Sequence, residues 1–89
     1  MPQVTIPPPY RGPTQGQAVI AVAGDTVRAC IEAVEAAHPG IAELIFDAAG
    51  GVQPYVTLFL NGDELGRDEV DRPVGADDEV EVLAAIAGG

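Results

Sequence analysis

Apolar and polar residues alternate in two short runs near the start of the chain. The first run, residues 3–6, stops at three consecutive prolines, which cannot donate hydrogen bonds to a sheet ladder. The turn-forming stretch YRGPTQGQ follows, and residues 18–22 form the second run. This pattern predicts two strands that pair as a hairpin with a loose loop.

The next segment, GDTVRACIEAVEAAHPG, has the apolar period of a helix. Asp25 or Thr26 can cap its start, and the proline after His38 disfavours a helical residue before it. We therefore expect a helix that ends near His38, followed by a short helical turn within residues 41–46. The apolar residues that define the buried side of the helix are Val27, Cys30, Ile31 and Val34.

Alternation returns in the segment YVTLFLNGDEL, which predicts a strand that ends at an Asn61-Gly62 turn. An acidic loop is predicted after the turn, beginning with Asp63 and Glu64 and continuing to Asp71. The two faces of the strand are Val56, Leu58 and Leu60 on the core side, and Tyr55, Thr57 and Phe59 on the other.

A last strand is predicted at EVEVL, residues 79–83, with Val80 and Val82 inward and Glu79, Glu81 and Leu83 outward. The element order is then strand, strand, helix, strand, loop, strand. It predicts an α+β roll of the ubiquitin-like kind, with a mixed sheet packed on one main helix and the last strand beside the first.

The composition limits the classes of function. The chain has 89 residues, enough for one small core, and 14 Asp and Glu against 4 Arg give a formal net charge of -10. We expect no nucleic-acid partner, because phosphate binding needs a basic footprint. A protein partner with a basic face fits better, although acidic residues that only keep a small domain soluble are an equally weighted alternative.

Compartment and catalytic chemistry are constrained by what the sequence lacks. It has no apolar stretch of membrane-spanning length and no signal-like segment, so we expect a cytoplasmic protein with no membrane partner. Without Lys or Ser, with His38 as the only histidine and with no phosphate-binding loop, we expect neither an enzyme nor a bound metal or cofactor. Cys30 is predicted to be a buried structural thiol, because it shares the apolar side of the helix.

Phe59 and Leu83 are apolar residues on strand faces that point away from the core. They mark either a docking patch or a surface covered by another loop, such as the one that carries Tyr10. We favour docking.

The sequence closes on Gly88 and Gly89. Glycine has no Cβ, so such a tail is thin enough to thread a narrow channel and bring its carboxylate to a partner's active centre. A free carboxylate is a poor electrophile, and activation as a mixed anhydride with AMP would supply a leaving group. Because the chain has no nucleotide-binding loop, we expect the partner to use the ATP.

The whole chain resembles the sulfur-carrier proteins of the ThiS/MoaD family, most closely the CysO-like members. The resemblance rests on the order and spacing of four segments and the terminal glycine pair: QVTIP, GDTVRACIEAVEAAHPGIAELIFD, YVTLFLNGDEL and GADDEVEVLAAIAGG. It implies a β-grasp fold and a thiocarboxylate on Gly89, made by a ubiquitin-activating-like enzyme that first adenylates the terminus. It also implies a downstream biosynthetic enzyme that accepts the sulfur.

The resemblance further assigns partner-binding residues. In the family, the hydrophobic residue just before the tail meets the activating enzyme, and that position corresponds to Leu83; Phe59 is added as its neighbour by inference. The predicted tail contacts are Ile86, Ala87 and Gly88. One departure is Ala84-Ala85, where family members often carry a proline pair.

The resulting prediction is a β-grasp domain over residues 1–83 and a flexible tail over residues 84–89, monomeric when alone. The sulfur acceptor stays open among cysteine, a thiamin thiazole, molybdopterin and a secondary metabolite, and the CysO-like resemblance favours the first or last. The main alternative is a ubiquitin-like modifier conjugated through Gly89 to target lysines. A bare interaction module is the third, and it would need no free carboxylate.

Overall fold

The computed structural model describes residues 1–85. Within this range five strands form one sheet in the order β2-β1-β5-β3-β4. The elements in chain order are β1 (Gln3–Thr5), a 3-10 helix (Pro8–Tyr10), β2 (Val19–Ala21), α1 (Val27–Ala37), α2 (Ala42–Ile45), β3 (Val56–Leu60), β4 (Asp63–Glu64) and β5 (Glu79–Ala84).

The sheet is mixed, and its one parallel pairing among the described residues joins the first strand to the last. Val4 lies opposite Val80 in that pairing, whereas β1 and β2 pair as an antiparallel hairpin. β3 pairs antiparallel with both β5 and β4. A mixed sheet that packs its first and last strands side by side against a helix is the β-grasp arrangement, and the predicted fold class is confirmed.

Helix α1 starts where the sequence predicts it. The Thr26 hydroxyl accepts a hydrogen bond of 3.0 Å from the Ala29 amide, so Thr26 is the N-cap. The first two amides of the helix donate to carbonyls in the loop between β4 and β5: Val27 bonds Arg72 at 3.1 Å and Arg28 bonds Val70 at 2.7 Å. The amide of His38 closes the last turn by donating to Val34 at 2.7 Å.

The core lies between α1 and one face of the sheet. The four apolar helix residues predicted to face inward have no exposed surface, and the strands meet them with aliphatic side chains such as Val4 and Val80, which are also fully buried. Cys30 is among the helix residues, as predicted. Burial raises the pKa of its thiol, and the negative charge of Asp25 raises it further, so both effects favour the protonated thiol.

The prediction of a loop that begins at Asp63 is wrong for its first two residues. Asp63 and Glu64 form β4, which pairs with Leu60 and Phe59 across a tight turn. Asn61 and Gly62 both have positive φ, 51° and 86°, which is the geometry of a two-residue hairpin turn. The turn sets the pairing, and charged side chains are well tolerated because β4 is an exposed edge strand.

No helix within residues 1–85 combines the length and the apolar character needed to cross a membrane.

Candidate functional site

Strand β5 carries the chain towards its C-terminal residues from the middle of the sheet. Its inward residues Val80 and Val82 are 0% and 1% exposed, so the strand is anchored in the core. It continues through Ala84, one residue beyond the predicted strand, and the Ala85 amide donates a 2.9 Å hydrogen bond to the Tyr55 carbonyl. The main chain is therefore held in the sheet up to Ala85.

The start of β5 is fastened by a small polar network. The Asn61 side chain donates to the Asp78 carboxylate at 3.0 Å and accepts from the Glu79 amide at 2.9 Å. The other Asp78 oxygen accepts from the Gly75 amide at 2.7 Å. The hydrogen bond from Gly75, followed by that from Asn61, lowers the pKa of Asp78 from its usual value. The network links the hairpin turn to the beginning of β5.

The outer face of the sheet, which points away from α1, carries the two predicted docking residues. Leu83 is 50% exposed and lies opposite Thr57 in the β3–β5 pairing. Phe59 is half-buried and lies one diagonal step away on the same face, opposite Glu81. The structure therefore brings Leu83 and Phe59 together.

The alternative that the Tyr10 loop covers this surface does not hold for Leu83, half of whose surface is open. Tyr10 is itself 8% exposed and belongs to the core. Burial raises the pKa of Tyr10, and the neighbouring Tyr55 raises it further. Tyr10 thus supports the interior of the fold.

Two exposed apolar residues extend the outer face beyond the predicted pair. Val19 in β2 is 50% exposed, and Tyr55, just before β3, is 46% exposed. The alternation around buried Ile20 is the signal that identifies Val19, although it is short because β2 has only three residues. The outward position of Tyr55 was predicted, but its link to β5 through Ala85 was not.

The outer face of the sheet carries three acidic side chains. Glu79 and Glu81 project outward from β5, and Glu64 lies across from Phe59 in the hairpin. Within residues 1–85 the four arginines form their hydrogen bonds and ion pairs with other groups, and none of these bonds goes to the three carboxylates. Arg11 bonds the Ile6 carbonyl, Arg28 bonds Asp71 and Gly50, Arg67 bonds the carbonyls of Val52 and Gln53, and Arg72 pairs with Glu69.

The remaining predicted site residues, Ile86, Ala87, Gly88 and Gly89, lie outside the described residues. Within residues 1–85 no three side chains of His, Cys, Asp or Glu group as metal ligands would. The part of the site that the structure describes is thus a surface: a partly apolar, acidic sheet face beside the strand that leads to the terminal glycines.

Comparison with known proteins gives a family and several structural neighbours. The model of the ThiS family matches residues 9–89. The crystal structure of CysO from Mycobacterium tuberculosis is 28% identical, with a TM-score of 0.88 over 97% of this chain and 100% of that one. A chain of the BexX/CysO complex from Amycolatopsis orientalis is also 28% identical, with a TM-score of 0.86 over 100% of both chains.

More distant likeness extends to SAMP1 from Haloferax volcanii, which is 20% identical with a TM-score of 0.78 over 99% of this chain and 98% of that one. At this identity the likeness concerns the fold. No curated protein matches the sequence.

Proposed function

Because the chain belongs to the ThiS family, we propose that it is a sulfur carrier whose Gly89 carboxylate is activated by a partner and converted to a thiocarboxylate. One observation carries the proposal: the central strand β5 runs past an exposed Leu83 directly into the segment that ends with the two glycines. A docking surface and a reactive terminus are thereby joined by a short stretch of chain.

The chemistry requires two steps at one carbonyl. The Gly89 carboxylate attacks the α-phosphorus of ATP, pyrophosphate leaves, and an acyl adenylate forms. Hydrosulfide from the sulfide donor then attacks the carbonyl carbon, the bond from that carbon to the AMP oxygen breaks and AMP leaves. Loss of the S–H proton gives the thiocarboxylate, in which sulfur has replaced one carboxylate oxygen. The carrier supplies the carboxylate and the docking surface, while the partner binds ATP and the sulfur donor.

Chain length limits where the partner's active centre can lie. Gly89 lies four residues beyond Ala85 in the sequence, and an extended chain of that length spans at most roughly 14 Å. A partner that encloses Gly89 must therefore contact the sheet near the end of β5. Leu83 and Phe59 are the apolar residues placed to receive it, and the glycines allow the terminal segment to enter a narrow channel.

Two classes of partner follow from the proposal. The first is a ThiS/MoaD-type adenylating enzyme, and the second is a biosynthetic enzyme that takes sulfur from the thiocarboxylate. The CysO of Amycolatopsis orientalis has been crystallised in complex with BexX, which supports a role for this chain in binding a second protein. For the product we propose cysteine or a sulfur-containing secondary metabolite, the two that the sequence resemblance to CysO-like carriers favours.

Intact-protein mass spectrometry tests the proposal directly. The chain is incubated with ATP, a sulfide source and a ThiS/MoaD-type activating enzyme, and the product is fragmented. We expect a mass gain that matches exchange of one oxygen for one sulfur, localised to Gly89. Deleting Gly89, or adding one residue after it, should abolish the gain without changing the thermal unfolding midpoint.

The competing proposal is a ubiquitin-like modifier, and the fold shared with SAMP1 is compatible with it. A modifier uses the same adenylate but transfers its terminal carbonyl to a lysine amine on a target. Since this chain has no lysine, it could not form lysine-linked polymers of itself. A Gly89-linked adduct on a target lysine, with no sulfur incorporation under any activating enzyme, would favour the modifier.

A further inference from the structure

Three side chains form a line across the outer face of the sheet. Phe59 in β3 is paired with Glu81 on one side and with Glu64 on the other. Both glutamates are exposed and Phe59 is half-buried. We call this set, Glu64, Phe59 and Glu81, the Phe59 row.

The geometry of a sheet fixes the spacing within the row. Adjacent strands lie about 4.8 Å apart, so the two glutamates are separated by roughly 10 Å with the aromatic ring between them. Side chains stand nearly perpendicular to the sheet, which leaves the ring accessible from the solvent side. The row thus places a partly exposed aromatic ring between two exposed carboxylates.

Neither glutamate is used inside the protein. Within residues 1–85, Glu64 and Glu81 form no ion pair and no side-chain hydrogen bond, and the hydrogen bonds and ion pairs of the four arginines go to other groups. Glu79 lies two residues before Glu81 and adds a third negative charge to the same face. The row therefore combines an aromatic ring with two carboxylates that form no ion pair within residues 1–85.

We propose that the Phe59 row binds a guanidinium group, namely an arginine side chain of the protein that activates the C terminus. A planar guanidinium stacks on an aromatic face and donates in two directions in its own plane, which matches carboxylates on both sides of a ring. An ammonium group is compact and strongly hydrated, so it cannot stack on the ring and reach both carboxylates as well. The site thus selects arginine over lysine.

This inference rests on the function proposed above, because it assigns the arginine to the activating partner. Leu83 lies two residues beyond Glu81 on the same strand face. A partner whose apolar pocket receives Leu83 would hold its arginine one strand step away, over Phe59. The two contacts differ in kind. Leu83 supplies apolar area to the interface, and the Phe59 row supplies the charge that attracts and orients the partner's arginine.

The first test compares two double substitutions with the same charge change. Glu64→Gln with Glu81→Gln alters the row, whereas Glu32→Gln with Glu43→Gln alters exposed helix residues whose carboxylates make no hydrogen bond in residues 1–85. The affinity of each variant for an activating enzyme that loads the unsubstituted chain is measured by calorimetry. We expect roughly five- to thirtyfold weaker binding for the row variant and less than a twofold change for the helix variant.

The outcomes separate the two proposals. If the unsubstituted chain is loaded with sulfur but both double variants bind equally well, the Phe59 row inference is overturned and the carrier function stands. If no activating enzyme loads the unsubstituted chain, the carrier function fails, and the second test still decides whether the row binds a guanidinium.

The second test uses the free protein and small probes. Amide chemical shifts are followed by nuclear magnetic resonance during titration with N-acetyl-arginine amide or N-acetyl-lysine amide, which carry the same charge. We expect larger shifts for the arginine probe, centred on Phe59 and Glu81, and loss of that difference in Phe59→Leu. Equal shifts for the two probes, or shifts spread over all acidic segments, would overturn the inference.

Discussion

Replacing Leu83 tests whether the outer face of β5 docks the activating enzyme. Full burial of a leucine side chain contributes about 1.5–3 kcal/mol. Leu83 is already half-buried, at 50% exposure, so docking can bury only the remaining half. The expected loss for Leu83→Ala is therefore at most about 0.8–1.5 kcal/mol, or roughly four- to twelvefold in affinity. Leu83→Asp should lose more, because its carboxylate would enter an apolar pocket without a partner.

The assay is the rate of pyrophosphate release by the activating enzyme as a function of carrier concentration. We expect the KM for the carrier to rise in the Leu83 variants, while kcat changes little because Gly89 is untouched. Val19→Ala and Val19→Asp are the controls, since Val19 has the same 50% exposure on the same sheet face but lies at the edge strand β2. Equal effects of the Leu83 and Val19 substitutions, or unchanged kinetics in Leu83→Asp, would refute a docking surface centred on β5.

Two further predictions concern the scaffold. In Gly24→Ala the new Cβ would lie 2.8 Å from the Cys30 amide nitrogen, so the start of α1 must shift; we expect a loss of about 1–3 kcal/mol, measured by urea unfolding. Gly12→Ala meets nothing within 4 Å and is the matched control; equal losses would contradict the close approach at Gly24. The lowered pKa of Asp78 means that its ionised form stabilises the fold above the ordinary aspartate pKa, and that this contribution is lost as the pH falls through the folded-state pKa. Asp78→Asn should therefore unfold at lower urea than the unsubstituted chain at about pH 7, with the gap narrowing towards about pH 3; a gap independent of pH would contradict this.

The parts of the fold that follow a local period were predictable. Helix α1 combines a recurring apolar side with a threonine cap, and β3 and β5 alternate cleanly, so the inward positions of Leu58 and Val82 and the outward position of Leu83 were all confirmed. These signals need only a few neighbouring residues, because the helix and strand periods act within one element. The ubiquitin-like roll then follows from the order of the elements.

The position of Glu64 could not be predicted in the same way. A strand of two residues has no measurable period, and Asp63 and Glu64 have side chains that are uncommon in strands. Their pairing is imposed by the tight Asn61-Gly62 turn and by the neighbouring β3. The Phe59 row likewise depends on the sheet order β5-β3-β4, which joins residues distant in sequence.

Alternate residues of β5 point to opposite faces of the sheet. Val80 and Val82 are buried in the core, whereas Glu81 and Leu83 are exposed on the solvent side. Substitutions at the two sets should consequently have separable effects, since truncating a buried aliphatic residue costs stability and truncating an exposed one costs little. A variant at Glu81 or Leu83 that keeps the unfolding midpoint and loses activation has therefore lost a contact with the partner. The same alternation that places the strand in the core thus exposes the proposed recognition residues, Glu81 and Leu83, a few positions before the two glycines in the sequence.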